Sequence, residues 1–231
     1  MMRNLSASIL DFHFSLPTSL KVPVGVEVIY PYHQEDTRES LKRFYEKFYS
    51  DENQRIVMFG INPGRFGAGV TGIPFTDPIR LETECGISNN FEKKKELSSE
   101  FVYQFIEAFG GPDLFYSKFY INSVSPLGFL KDGKNYNYYD DKKLQETVRP
   151  FIIESIRKQL EICGNPNVAI CIGEGKNYKY LEKLNAEEKF VKKILAVSHP
   201  RYILQYKRKQ LNEHLNSYLA TLHKALELLK T

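Results

Sequence analysis

The chain has 231 residues, enough for one domain of the larger kind with a full hydrophobic core. Lys and Arg number 32 against 28 Asp and Glu, a net charge of +4, so a nucleic-acid partner would have to be met by a local basic patch. Cys85, Cys163 and Cys171 stand far apart with no C-x-x-C, which argues against a zinc or iron–sulfur site and for a reducing compartment.

No apolar run approaches a membrane span, and no basic stretch followed by an apolar one marks a leader. The expectation is a soluble protein of the cytoplasm, with no cofactor, no metal and no membrane partner.

Residues 1–35 carry Pro17, Pro23 and Pro31 and read as an irregular segment packed on the domain, with an extended patch from Val22 to Tyr32. Asp36 with Glu39 suits the reciprocal cap of a helix whose apolar face is Leu41, Phe44, Tyr45, Phe48 and Tyr49. Arg55-Ile56-Val57-Met58-Phe59 has the pattern of a buried strand.

It runs into the most informative stretch of the chain. Residues 60–75 hold five glycines and two prolines, a density that no helix or strand tolerates. This is a loop with prescribed backbone geometry, and loops after parallel strands are where α/β proteins place their sites. It lacks the Lys-Ser/Thr ending of a phosphate-cradling P-loop.

Asp77 to Lys95 is polar and reads as a surface excursion. Ser98 or Ser99 is a candidate cap for a helix with Phe101, Val102, Phe105, Ile106 and Phe109 on its inner face, stopped by Gly110-Gly111. A second strand covers Lys118 to Ile121 and leads into Asn122-Ser123-Val124-Ser125-Pro126-Leu127. Residues 131–141 have no period and read as an exposed loop.

Helical spacing resumes at Leu144, Val148, Ile152, Ile156 and Leu160, with Pro150 predicting a kink or two abutting helices, and Gly164 ending it. Val168 to Ile172 is a third strand closing on Gly173-Glu174-Gly175, where Glu174 suits a helix cap. After a short helix, a fourth strand over Lys193 to Val197 delivers Ser198-His199-Pro200-Arg201. A last amphipathic helix carries Leu211, Leu215, Leu219, Leu222, Leu226 and Leu229.

Four strands alternating with helices predict an α/β fold, a three-layer α/β/α sandwich with a central four-stranded, mainly parallel sheet. The four strand ends then share one edge, and three of them present Asn62, Asn122 and His199.

The order Gly60-Ile61-Asn62-Pro63-Gly64, then Phe66-Gly67, then Thr71-Gly72-Ile73-Pro74-Phe75 resembles the first motif of the uracil-DNA glycosylase superfamily. It is most like the single-strand-selective monofunctional (SMUG-like) branch, departing from it at Arg65 and Ala68. Tyr120 to Leu127 resembles the family's base-reading strand end. Ser198-His199-Pro200-Arg201 is similar to its second motif, with an internal Ser-Pro missing.

The resemblance implies a monofunctional hydrolase that releases uracil or a related damaged base from DNA during base excision repair, acting on chromosomal DNA as a monomer. Asn62 and His199 are the expected catalytic pair. An amide oxygen accepts from a water and orients it without taking its proton, and a neutral imidazole donates to the charge growing on the departing base.

Asn122 would read the base through its amide, with Ser123 and Ser125 the nearest replacements. Phe75 would stack on the base, and Gly60, Ile61, Gly67 and Ala68 would line its pocket. Pro63, Gly64, Arg65, Pro200, Arg201, Lys207, Arg208 and Lys209 are expected along the DNA backbone. The alternatives are another base such as hypoxanthine or xanthine, a weak or inactive member that only binds nucleic acid, and a nucleotide-binding domain using Gly173-Glu174-Gly175-Lys176.

Overall fold

The computed structural model describes residues 4–229. In chain order the elements are α1 (Leu5–Phe14), β1 (Val26–Ile29), α2 (Glu35–Phe48), β2 (Ile56–Gly60), α3 (Ala68–Thr71), α4 (Pro78–Thr83), α5 (Leu97–Phe109), α6 (Pro112–Tyr116) and β3 (Phe119–Ser123). There follow β4 (Gly128–Lys131), β5 (Lys134–Tyr136), α7 (Lys142–Cys163), β6 (Val168–Ile172), α8 (Lys176–Glu188), β7 (Lys193–Val197), α9 (Pro200–Tyr206) and α10 (Leu211–Leu229).

The predicted α/β/α architecture is what forms. Four parallel strands run in the order β3-β2-β6-β7. Every residue of β2, β3 and β6 is buried. The central strands β2 and β6 are apolar on both faces, as central parallel strands must be, while the edge strand β3 ends in the polar Asn122 and Ser123. Helix α10 packs along β7, β6 and β2 and against α5, while α7 packs on β2 with α1 against it.

Several local expectations are corrected. The segment before residue 35, of which residues 1–3 lie outside the described residues, is irregular only between α1 and β1, over residues 15–25: Asn4 caps α1 by accepting from the Ala7 amide. Leu5, Ile9, Phe12 and His13 are buried at helical spacing, which the three downstream prolines obscured. Helix α2 begins at Glu35 behind Gln34, without the side-chain cap assigned to Asp36.

The excursion after Asp77 contains α4 and is anchored by buried Leu81, Cys85 and Ile87. Helix α5 starts at Leu97, so Ser98 and Ser99 lie in its first turn and are buried. Helix α7 is one element through Pro150.

Residues 131–141 are not a loop throughout. Strands β4 and β5 form a hairpin and pair with β1 in a second, antiparallel sheet of order β1-β4-β5. Its turn is Asp132-Gly133, both at positive φ (50° and 67°), the pairing that closes two-residue hairpins with the right twist. The hairpin lies beside the glycine-rich loop: a Cβ on Gly128 would meet the Pro63 carbonyl oxygen at 2.4 Å.

Candidate active site

The carboxyl edge of the parallel sheet holds a cavity of about 330 Å³, a usual size for a small-ligand site. The loop after β2 supplies Ile61, Asn62, Pro63, Gly64, Ala68 and Phe75 to its wall. Ser123 comes from β3, His199 from the turn after β7, and Arg201 from the first turn of α9.

Asn62 is held by backbone groups at both ends of its amide. The Tyr138 N–H donates to Oδ1 at 3.1 Å, and Nδ2 donates to the Tyr136 carbonyl at 3.2 Å. These partners fix which end of the amide is oxygen. A carbonyl oxygen has two lone pairs, so Oδ1 keeps one for a further donor.

Tyr138 is itself locked. Its hydroxyl donates to Asn177 Oδ1 at 2.7 Å, and Asn177 Nδ2 reaches the carbonyls of Gly60 at 3.3 Å and Ile172 at 3.2 Å. Asn177, buried on α8, thus ties the ends of β2 and β6 to the segment that grips Asn62. Sequence reading missed both residues, because this polar latch leaves no periodic trace.

Phe75 sits at φ 54°, a conformation uncommon outside glycine. Its ring passes close over β2: a Cβ on Gly60 would meet ring carbon Cε2 at 2.8 Å, so Gly60 makes room for the aromatic and does not itself line the cavity. The ring centre stands 5.8 Å from that of His199, at 53°.

His199 is the N-cap of α9. Its Nδ1 accepts from the Arg201 backbone N–H at 3.2 Å. A ring nitrogen that accepts carries no proton, so the proton of the neutral ring is on Nε2. Burial, reinforced by the Arg201 charge, pushes the imidazole pKa down to about 4. At neutral pH the cavity is therefore lined by a neutral histidine with one N–H to donate.

Asn122 is a correction. It is not beyond a strand end but within β3, which runs two residues further than Ile121. Alternation then gives it the face of Tyr120. Its Nδ2 donates to the Tyr120 hydroxyl at 2.6 Å and its Oδ1 accepts from the Ser123 N–H at 2.8 Å. The Tyr120 hydroxyl continues to His13 Nε2 at 3.4 Å, and that ring meets the Tyr45 hydroxyl at 3.2 Å.

Asn122 is thus part of a buried polar cluster under α1 and α2, not a cavity residue. Ser123, on the opposite face, lines the cavity, whereas the Ser125 hydroxyl is spent on the Leu127 carbonyl at 2.7 Å.

The basic residues divide. Arg201 is exposed and lines the cavity. Arg65 is exposed outside it, with its guanidinium on the Gly133 carbonyl and 4.5 Å above the Phe66 ring. Arg208 pairs with Glu100 at 3.4 Å. Lys207 closes α9, Lys209 is exposed beyond it, and Pro200 is buried as its first residue.

Gly67 does not reach the cavity wall; the Glu96 carboxyl occupies the space beside it. Glu96 does line the wall, as do Asn135, Asn137 and Tyr139 near the hairpin and Tyr202, Gln205 and Tyr206 on α9, all unassigned by sequence.

Glu174 caps no helix. It accepts from the Ser198 hydroxyl, and α8 starts behind Gly175 without a side-chain cap. The hollow over Gly173, Glu174, Gly175 and Lys176 shares Ile61, Tyr139, His199 and Tyr202 with the main cavity and continues it. Among the described residues no His/Cys/Asp/Glu cluster could hold a metal ion, and no helix is long and apolar enough to cross a membrane.

Comparison with known proteins shows the family. The family model of the uracil DNA glycosylase superfamily matches residues 46–223. Among solved structures, wild-type SMUG2 of Pedobacter heparinus is similar at 43% identity and a TM-score of 0.93, over 98% of this chain and 99% of that one. No curated protein matches the sequence. The chain belongs to the uracil DNA glycosylase superfamily as a SMUG-like member, a DNA glycosylase of the hydrolase class whose partner is DNA.

Proposed function

We propose that the cavity hydrolyses the N-glycosidic bond of uracil, or of a base with the same edge, after that base has been flipped out of DNA. The glycosidic bond of a stacked base cannot be enclosed by a pocket of this kind, so the base must leave the stack to enter. Phe75 offers it a stacking face. As the bond breaks, negative charge grows on the base and positive character on the sugar.

The His199 Nε2–H suits the base oxygen, being neutral and preorganised by its cap. Asn62 Oδ1 suits a water approaching C1′. It orients that water but cannot deprotonate it, so the rate comes from positioning and from stabilising the leaving base.

The observation that carries this reading is the pairing of a fixed-orientation Asn62 with a fixed-tautomer His199 on one cavity. Among the described residues, no lysine lines that cavity. Lys176 stands only in the hollow that continues the cavity, with its amine over the Tyr139 ring, an arrangement that supports a monofunctional enzyme with no strand-cleaving step. Ser123 replaces Asn122 as a reader of the base, and Arg201 meets a phosphate beside the flipped nucleotide. The enzyme acts as a monomer.

The test is a panel of oligonucleotides, each with one modified base, in single and double strands, scored for free base. Release of uracil is expected. Release confined to bases lacking uracil's CO–NH edge would overturn the assignment.

A further inference from the structure

The withdrawal of Asn122 into the core leaves the base edge without its amide reader. Uracil presents a carbonyl oxygen beside a ring N–H, and hypoxanthine presents the same pair. Reading both needs one donor and one acceptor side by side. An amide supplies them, and so does a neutral carboxylic acid.

Glu96 is placed to be that group. It precedes α5 and lines the cavity, half-buried. Its carboxyl lies against the motif loop in space that Gly67 leaves open, with Gly64 in ordinary contact beside it. A Cβ on Gly67 would fall 2.0 Å from Oε2, and one on Gly64 would fall 3.6 Å from Oε1. Oε2 accepts from the Ser99 hydroxyl at 3.3 Å, and Oε1 accepts no hydrogen bond among the described residues. Nearby, Asp77 is committed elsewhere: Oδ1 caps α4, and Oδ2 accepts from the Glu96 backbone N–H at 2.9 Å.

We propose that Glu96, in its neutral form, reads the CO–NH edge of the flipped base, donating through its O–H to the ring carbonyl and accepting the ring N–H. This inference rests on the base-release reading above and names the group that reads the substrate: a side chain with one donor and one acceptor side by side, which bases with that edge satisfy.

The groups facing Glu96 favour the neutral form. Burial raises its pKa to about 7, the Asp77 carboxylate adds to this, and the Ser99 hydroxyl and the Arg201 guanidinium oppose it. Asn135 lies beside Gly64 without charge, and His199 on the same wall is neutral above about pH 4. Ionised Glu96 only accepts, and so faces the base carbonyl with repulsion.

The test is the pH profile of uracil release for wild type, Glu96→Gln and Glu96→Ala, with melting curves to show that each is folded. Wild type should lose kcat/KM as pH rises through about 7. Glu96→Gln, which carries the same donor and acceptor at every pH, should stay within about threefold of wild type at pH 6 and lose the alkaline fall. Glu96→Ala should lose roughly 10- to 100-fold at pH 6, the scale of stranding a buried hydrogen-bonding pair.

A folded Glu96→Gln that keeps the alkaline fall, or a folded Glu96→Ala with wild-type kcat/KM, would overturn the proposal. Either would leave the base-release reading intact. Only wild type failing to release base at any pH would remove that reading too.

Discussion

Strands β2 and β3 lie side by side, and the sequence places an asparagine near the end of each. Only one of the two reaches the cavity. Asn62 stands two residues beyond Gly60, the last residue of β2, where the chain has left the pleat. Its direction is chosen by tethers, namely the backbone of Tyr136 and Tyr138.

Asn122 is still inside the sheet, in register with Phe59. Its direction is chosen by the pleat, which sends it to the Tyr120 side and Ser123 to the cavity. Residue type alone does not make a site. One residue of strand length decides which of two neighbouring polar side chains meets substrate.

The largest effect belongs to His199, which follows β7 and lies on neither of the asparagine-bearing strands. His199→Ala should lower single-turnover base release by about 10² to 10³, the scale of one preorganised donor to a developing charge. The loss should appear in the chemical step and not in affinity for DNA. A pure affinity loss would make His199 a DNA contact.

Next comes the pair on β3. Ser123→Ala should reduce kcat/KM by roughly tenfold, the scale of one lost hydrogen bond to an uncharged group left unpaired. Its melting temperature should be close to that of wild type. Asn122→Ala should do the reverse, lowering stability by about 1–3 kcal/mol because the buried Tyr120 hydroxyl loses a partner. Reversed outcomes would put Asn122 back in the base pocket.

A smaller effect belongs to the exposed rim. Arg201→Ala should flatten the salt dependence of DNA binding by about one unit of slope, as loss of one phosphate contact does. The same change at Arg208, which is paired with Glu100, should do less. Equal slopes for both variants would contradict the division of the basic residues.

The smallest is a stability effect at Glu96. Its folded pKa, about 7, lies above its ordinary value of 4.5, so the native state holds a proton that the unfolded chain releases. Wild type therefore loses stability as pH rises from about 4.5 to about 7. Glu96→Gln does not, so it should melt higher than wild type at pH 8, with the gap closing below pH 4.5. His199 has the opposite sign, its stabilisation being lost as pH falls from 6.5 towards about 4, but it is common to both proteins and cancels in the difference.

Much of this architecture was legible from local pattern. Val168 to Ile172 and Lys193 to Val197 form strands at the expected bounds, because short apolar runs between helical periods have few other uses. The first motif located Asn62 and Phe75 through loop chemistry that only a prescribed backbone requires.

The failures share a cause. Strand β3 is buried on both faces, so its sequence shows no alternation to say where Asn122 points. Strands β4 and β5 are short, and β5 is partly exposed, so the Asp132-Gly133 turn was the signal that could have found them. Glu96 looks like a surface residue amid Lys93, Lys94 and Lys95. It is shielded by Gly67, 29 positions earlier, and distant contacts of that kind leave no mark in a local window.

The most direct test of the account is single-turnover incubation of wild type with a uracil-containing oligonucleotide, measuring free base and strand cleavage separately. The account predicts free uracil with the sugar–phosphate backbone intact, and loss of that release in the Asn62→Ala/His199→Ala double variant, which should still bind abasic DNA. Strand cleavage keeping pace with base release, or a double variant as fast as wild type, would contradict it.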